Sequence, residues 1–592
     1  MQESQKIAQS APTARPDIKI SASCRKDPLM FSLILWLWFW AALYFTPRVL
    51  ALVIGPEPAA AKCSIVVFAL LLNFLGFYTM YHLVIIFFAC RTRSAAPDRL
   101  LQNTETDQAQ PRVALLYTTY NDFQEAAVQS CLKQRYDNFH TFILDDSTDP
   151  SFIQRVDTFA ARYAERVTVI RRRERTGYKA GNINHAMRNI SGYEYFSISD
   201  ADTRLPPDYL TALLPYFQDE RIAFAQANQA LNPAQDSAFA RHLGYQIRLH
   251  CDFYMKTKNR YGFVMFYGHG ALLRTDVYRQ VGGFPEIATE DLAYSLLVRL
   301  RGYEGIYASE VVCYEDFPPT YPQYRRRNEK WIRGTSQCLQ RYFPAFARAR
   351  EVSWMEKVDV LSAALLLLLP LPFVSLLLCV GVLLPLFYTH FRFQAAMFQM
   401  PLGFEQTPLK LILETNGNLF WRWDYFIFFL LSLVGSILPA IVGVFQEPAK
   451  KLRFIIMHSF MFYATGVVSA FQVIAYLVTG KAMFPVTGHR QDGVGGGCAG
   501  NAPVCRFSLR NYLSYPLANH PATVALELAA AVIFLNISLA TQNIWFLSFA
   551  AGLGVSVFVL YTGYEQKALP WLAGIPVGFL LVIIWLIIRS IQ

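Results

Sequence analysis

Hydrophobic positions lie along the chain in blocks rather than evenly. Apolar runs extend from Phe31 to Phe45, continuing toward Ile54, and from Ile65 to Cys90. A long stretch of mixed charge follows between Arg91 and Glu356. Apolar runs then resume at Leu361 to Phe387, Tyr425 to Phe445, Phe454 to Leu477, Val524 to Leu539, Ile544 to Tyr561 and Leu569 to Ile588. A helix needs about 20 apolar residues to cross a bilayer, so the pattern predicts a polar domain inserted between two sets of membrane helices. The expected division is 1–92 for a tail and two spans, 93–334 for the inserted domain, 335–356 for an amphipathic interface helix and 357–592 for a second membrane bundle.

Within the inserted domain, short β-branched or aromatic runs alternate with helical stretches, which predicts an α/β fold. Candidate strands are Val113 to Thr118, Thr141 to Asp145, Val167 to Arg171, Tyr195 to Asp200 and Ile222 to Gln226, with helices such as Phe123 to Gln134 and Lys179 to Ile190 between them. Ligands of open α/β sheets bind outside the carboxyl ends of the strands. Here those ends carry Thr119, Tyr120 and Asn121, then Asp145 and Asp146, then Asp200 and Asp202. Carboxylates are costly to bury alone, so the cluster predicts a cation or a polar ligand. Asp200 and Asp202, two apart in an extended segment, project to one side and can share Mg2+ or Mn2+. A further acidic pair, Glu290-Asp291, follows Gly282-Gly283-Phe284-Pro285 and opens a helical pattern. It reads either as a helix cap or as a general base.

Composition narrows the class. Of 592 residues, 54% are hydrophobic and only 16% charged, against about a quarter charged in soluble globular proteins. With 15% aromatic residues the chain is no disordered polypeptide either. The net charge of +11 fits a membrane surface or anionic substrates and is too small to argue for nucleic acid. Lys6, Arg15, Lys19, Arg25 and Lys26 precede the first apolar run, with no small-residue cleavage site close behind. The run is therefore expected to be a retained anchor, with the N-terminus and the inserted domain both cytoplasmic. The ten Cys include no C-x-x-C pair, which indicates neither a zinc ribbon nor a dithiol site; Cys498 and Cys505 read as unrelated thiols in a Gly-rich loop.

Taken together, Thr119-Tyr120-Asn121-Asp122, Asp145-Asp146-Ser147, Lys179-Ala180-Gly181-Asn182-Ile183-Asn184, Asp200-Ala201-Asp202, Phe266-Tyr267-Gly268-His269, Thr289-Glu290-Asp291 and Trp331 resemble the membrane-integrated processive glycosyltransferases of family 2. That group includes the cellulose, hyaluronan and chitin synthases and bacterial β-glucan synthases. The resemblance covers roughly Arg112 to Gly334 and implies a GT-A type α/β domain between α-helical transmembrane bundles. It implies that Thr119, Tyr120, Asp122, Asp145, Asp146, Lys179, Asp200 and Lys330 bind the nucleotide sugar, and that Asp200 and Asp202 hold Mg2+ or Mn2+. Asp291, with Glu290 beside it, would be the catalytic base, and Trp331, His269 and Tyr267 would meet the acceptor.

Two departures stand out. The family's Q-x-x-R-W signature is Arg327-Asn328-Glu329-Lys330-Trp331 here, and Lys lacks the bidentate fork of Arg. Tyr267-Gly268-His269 stands where cellulose synthases have Cys-Gly-Ser, closer to the osmoregulated periplasmic glucan synthases. Phe484-Pro485-Val486-Thr487-Gly488-His489 is similar to the gating loop of cellulose synthases, which makes 481–515 a candidate gating loop carrying Phe484, Val486 and Thr487. A cytoplasmic loop there requires Phe454 to Leu477 to be an interfacial or re-entrant segment, as His458, Ser459, Thr465, Ser469 and Gln472 suggest. Arg171-Arg172-Arg173 with Arg175 reads either as a diphosphate contact or as a charged strand end at the membrane face, and Arg325-Arg326-Arg327 as a headgroup-binding cluster. Pro370, Pro372 and Pro385 are expected to kink or shape one membrane segment.

The resemblance thus implies an inverting polysaccharide synthase in a bacterial cytoplasmic (inner) membrane, taking UDP-glucose to a β-glucan. Its partners would be the UDP-sugar donor, the growing polysaccharide, the bilayer and a periplasmic export partner, with no nucleic acid. The alternatives are a transferase adding one sugar to a lipid carrier, and a transporter or sensor that binds nucleotide without catalysis.

Overall fold

Seven strands form one mixed sheet in the order β3-β2-β1-β4-β6-β5-β7. They are β1 (Val113–Thr119), β2 (Phe139–Asp145), β3 (Val167–Ile170), β4 (Tyr195–Ser199), β5 (Ile222–Leu231), β6 (Ala271–Arg274) and β7 (Glu304–Glu315). The computed structural model describes residues 26–54, 58–92, 110–383, 392–395, 411–414, 442, 448–482, 513, 516–541 and 544–562.

The first four strands match the sequence reading to within two residues, because β1 and most of β2 and β4 are buried on both faces and read as near-continuous apolar runs. Register brings their polar ends together. β1 and β2 are parallel with Thr119 opposite Asp145, and β1 and β4 are parallel with Tyr117 opposite Ser199. Strand order reverses on the two sides of β1, so the cleft opens above the ends of β1 and β4. Two strands carry no sequence signal of their own. β6 has only four residues, and β7 mixes buried with exposed positions and pairs with β5 across two register shifts. β6 runs antiparallel to both β4 and β5. The chain therefore reaches β6 from the ligand side of the sheet, which delivers Phe266–His269 to the cleft.

Helices surround this frame: α1 (Leu29–Leu50), α2 (Ala59–Arg91), α3 (Glu125–Leu132), α4 (Tyr178–Asn189), α5 (Ala238–Leu249), α6 (Glu290–Leu300), α7 (Tyr321–Arg341), α8 (Trp354–Leu368), α9 (Pro370–Leu378), α10 (Pro448–Thr479), α11 (Pro521–Thr541) and α12 (Ile544–Thr562). Among the described residues three helices are long and apolar enough to cross a membrane, at Leu29–Pro47, Ala59–Arg91 and Pro521–Leu539. Trp354–Leu365 and Pro370–Leu378 make a bent pair at 63°, with the break at the proline cluster the sequence had singled out. The apolar runs Tyr425 to Phe445 and Leu569 to Ile588, the gating-loop residues Phe484, Val486 and Thr487, and Cys498 and Cys505 lie outside the described residues.

The structure corrects several expectations. α7 runs unbroken from Tyr321 to Arg341, so the first part of the expected 335–356 interface helix continues the helix that carries Trp331, and a separate short helix, Phe343–Arg348, follows it. α10 is one continuous helix of 32 residues, which excludes a re-entrant break at Phe454 to Leu477. Its polar residues pack against the inserted domain: His458 bonds Gln246 of α5 at 2.8 Å, Ser469 accepts from Asn328 of α7 at 2.9 Å, and Gln472 is buried. Arg325 is no headgroup ligand, because it is fully buried against Glu527 of α11. Nor do Arg171 and Arg172 form a membrane-facing edge; they pair with Asp145 and Asp146.

One carboxylate joins the domain to helices from both sides of the insertion. Asp359 of α8 binds the Lys258 ammonium through both oxygens at 3.1 Å, accepts the Phe263 amide at 2.7 Å and accepts the Tyr81 hydroxyl of α2 at 3.3 Å.

Candidate active site

The strand ends, the Phe266–His269 loop, the start of α6 and one side of α7 enclose a cavity of about 650 Å³. Thr119, Tyr120, Asp122, Asp146, Lys179, Asp200, Asp202, Tyr267, His269, Glu290, Asp291, Lys330 and Trp331 all line it. Asp145 does not. Its side chain is fully buried behind the wall, where it accepts Arg171 Nε at 2.7 Å and the Ser147 amide at 2.9 Å. It shapes the β2 end instead of touching a ligand directly.

At the β1 end, Asp122 Oδ1 accepts both the Tyr120 amide at 2.7 Å and the Thr119 hydroxyl at 2.8 Å, closing a tight turn. Asn121 adopts a left-handed φ of 56° there, and its side-chain oxygen accepts the amides of Thr148 and Asp149, locking the β1 loop to the β2 loop. Asp146 is held by Arg172 at 2.6 and 2.8 Å in a two-pronged contact. Arg175 stacks on the Tyr120 ring at 3.5 Å, giving that end of the cavity a cationic and aromatic wall.

At the centre, Lys179 of α4 pairs with Asp200 and donates to the Gly268 carbonyl at 2.9 Å. Burial opposes ionisation of Asp200, but Lys179 and then His269 hold its carboxyl below the usual carboxylate range. Asp202 goes the other way: burial, then Glu315 and Asp200, push it up to about 8. His269 is 3.2 Å from Glu315, which outweighs burial and raises the imidazole to about 9. Gly268 has φ +84°, and a Cβ on it would sit 3.5 Å from Asp291 Oδ2 and 3.7 Å from Lys179 Nζ. This turn therefore lets the lysine and the acid share one edge of the cavity without a side chain between them.

Asp291 begins α6. Its Oδ1 accepts the Leu292 amide at 2.8 Å, and Ser295 ties the Asp291 carbonyl to the Phe266 amide. Burial raises the carboxyls of Glu290 and Asp291 alike, while Lys330 and Lys179 act against that rise. The acidic turn leans on α7: Thr289 donates to the Gly334 carbonyl at 3.0 Å, and a Cβ on Gly334 would come within 2.6 Å of Thr289 Cγ2. Gly334→Ala is expected to push α7 off this turn and to lower kcat by about tenfold while the protein still folds. Steady-state kinetics alongside a melting curve checks this.

Trp331 is stacked by the Arg327 guanidinium at 4.6 Å, so one face of the indole is already occupied. Beyond Trp331 the cavity continues to Val360, Ala363, Ala364 and Leu367 of α8. The sequence reading weighed Arg175, with Arg171 to Arg173, as a diphosphate contact, and it did not single out Glu315, Asp316 or the α8 residues as parts of the site. Glu315 ends β7, the strand that gave no pattern, and Asp316 follows it.

Among the described residues no three His, Cys, Asp or Glu side chains converge as a ready metal cluster. The donor set still fits a hard divalent ion. Asp202 is crowded by like charges that a bound cation would relieve, and Mg2+ or Mn2+ there would draw its remaining ligands from water and substrate oxygens.

Residues 195–407 match the family described as "Glycosyl transferase family group 2". The chain is 26% identical over 264 residues to a probable glucomannan 4-beta-mannosyltransferase 6 of Oryza sativa subsp. japonica, covering 42% of this chain and 45% of that protein. It is 24% identical over 319 residues to a probable glucomannan 4-beta-mannosyltransferase 15 of Arabidopsis thaliana, covering 51% and 59%. The chain thus spans about half the length of the relatives it matches. Among solved structures, a mannosyltransferase of Pyrobaculum calidifontis in complex with GDP-Man and Mn2+ aligns with a TM-score of 0.38 and 21% identity, over 52% of this chain and 86% of that one.

Proposed function

We propose that the chain, whose residues 195–407 match glycosyl transferase family group 2, is a glycosyltransferase of the cellulose synthase-like type that polymerises a hexose from a nucleotide-sugar donor and passes the glycan into the adjoining membrane helices. The observation that carries the reading is the single cavity that joins the strand-end acids and lysines to the apolar face of α8.

In this reading Tyr120, Arg175 and the β1 turn hold the nucleoside, and Lys179 and Lys330 receive the diphosphate. A hydroxyl of the acceptor gives its proton to Asp291 and attacks the anomeric carbon. The bond to the diphosphate oxygen breaks in the same displacement, which inverts the configuration. Mg2+ or Mn2+ held by Asp202, beside Asp200, neutralises charge on the departing diphosphate when bound. Trp331 offers its free face to the acceptor sugar, with Tyr267 and His269 beside the reacting end. The Lys and Arg residues before α1 support a cytoplasmic placement of the domain, and a bacterial inner membrane is the proposed location.

UDP-glucose is the proposed donor and a β-glucan the product. A second donor, a nucleotide-activated mannose, is favoured by the mannosyltransferase names of the plant relatives. Nucleoside diphosphate release from the purified chain with each donor and Mg2+ or Mn2+, followed by product sizing and linkage-specific hydrolysis, tests the proposal. A long polymer from one donor supports it and names the sugar. A single transfer replaces it with glycosylation of a lipid carrier, and no turnover with any donor sinks it.

A further inference from the structure

α7 carries two faces with different chemistry. At 3.6 residues per turn, Arg327, Lys330, Trp331 and Gly334 fall on the cavity side and Arg325, Glu329 and Arg333 on the opposite side. That opposite side is a row of buried charge: side-chain exposure is 1% for Arg325, 1% for Glu329 and 0% for Arg333.

Each of these residues bonds chain about two hundred positions away. Arg325 forks onto Glu527 of α11 at 2.9 and 3.0 Å and donates through Nε to the Ala518 carbonyl at 2.7 Å. Glu329 accepts the amides of Leu517 and Ala518 at 2.9 and 2.8 Å and pairs with Arg333 at 2.9 Å. Arg333 reaches the Leu513 carbonyl at 3.1 Å. Ser556 of α12 joins the cluster through Tyr321, Arg325 and Glu527. Glu527 is itself fully buried, inside a helix apolar enough to cross a membrane.

Removing so many charges from water is costly, and an apolar seam of equal volume would hold two helices together at least as firmly. What an apolar seam lacks is direction. Forked and backbone-directed bonds allow one register between α7 and α11, whereas packed methyl groups tolerate sliding and rotation. Since Lys330 and Trp331 sit on the reverse side of the same helix, the register of α11 fixes how the acceptor face of α7 is presented to the membrane helices that receive the glycan.

We propose that the Arg325–Glu329–Arg333 row and Glu527 position the acceptor face of α7 relative to the membrane helices, and so set how long the glycan stays engaged. The inference rests on the polymerising reading above. These are positioning residues: none lines the cavity, and each acts through α7.

The test compares the full-length protein with Glu527→Gln and with the paired variant Arg325→Met/Glu527→Leu, which removes both charges and keeps the volume. Each is assayed for melting temperature, for kcat and KM of the donor, and for product length. Both variants are expected to keep donor KM and kcat within about twofold while mean product length falls by about tenfold. The paired variant should melt at or above the wild-type temperature, because no charge is left unpaired. Wild-type product length in a folded paired variant overturns the proposal, since the charges would then serve packing alone. Loss of kcat in parallel with length in that variant overturns it too. If the unmodified protein makes only single transfers, the polymerising reading itself fails, whatever the variants do.

Discussion

Asp291→Asn is expected to lower kcat by about 10³-fold while donor affinity stays within about twofold, because a general base contributes to the proton transfer and little to ground-state binding. The asparagine is isosteric, still accepts the Leu292 amide and keeps α6 in place, so the loss isolates the missing carboxylate. The acid limb of the pH profile carries a second signature. Burial raises the Asp291 carboxyl, and only its ionised form can take a proton, so kcat/KM should fall as pH drops through a value above the ordinary carboxylate pKa of about 4. Lys330 holds that value down; Lys330→Met should move the limb further toward neutral pH. Donor titration by calorimetry together with pH-dependent kinetics checks both. Full turnover in Asp291→Asn would remove the base assignment.

Asp202→Asn is expected to cut activity by at least about 10²-fold at saturating Mg2+ or Mn2+, through loss of a charge that helps hold the ion against the leaving diphosphate. The same substitution should stabilise the metal-free fold. The Asp202 carboxyl is pushed up to about 8 in the folded protein and returns to about 4 when unfolded. The folded state therefore binds the extra proton, and metal-free stability declines as pH rises from about 4 to about 8. An amide has no such penalty, so the melting temperature of Asp202→Asn without metal should exceed the wild type's at pH 8 and converge with it near pH 4. A variant that is more stable but inactive cannot be explained by misfolding. One that is less stable at pH 8 would show that like-charge crowding is not what raises this carboxyl.

The parts of this site that could be read from the sequence are those adjacent to their own strand. Thr119, Asp146, Asp200 and Asp202 follow runs buried on both sides, so the run announces the strand and the strand announces the ligand end. Glu315 and Asp316 occupy an equivalent position on β7 but were not read, because a strand whose burial alternates irregularly and whose pairing shifts register has no periodic signature. The basic clusters failed for another reason. Arg171, Arg172 and Arg325 look solvated in one dimension, and only folding brings Asp145, Asp146 and Glu527 to them, the last from 202 positions away. His458 and Ser469 of α10 likewise meet partners on α5 and α7 that a one-dimensional pattern does not show.

The shared carboxylate of Asp359 bears on how far the catalytic module can be moved. Its partners come from an N-terminal helix, from the domain and from its own post-domain helix. A fragment trimmed to the α/β sheet would leave the Lys258 ammonium and the Phe263 amide stranded at the inner end of the cavity, with the wall made by α8 gone. The module is therefore not portable. Fusing it to a different membrane anchor would require grafting Tyr81 and Asp359 with it, and the smallest working unit already includes chain from both sides of the insertion.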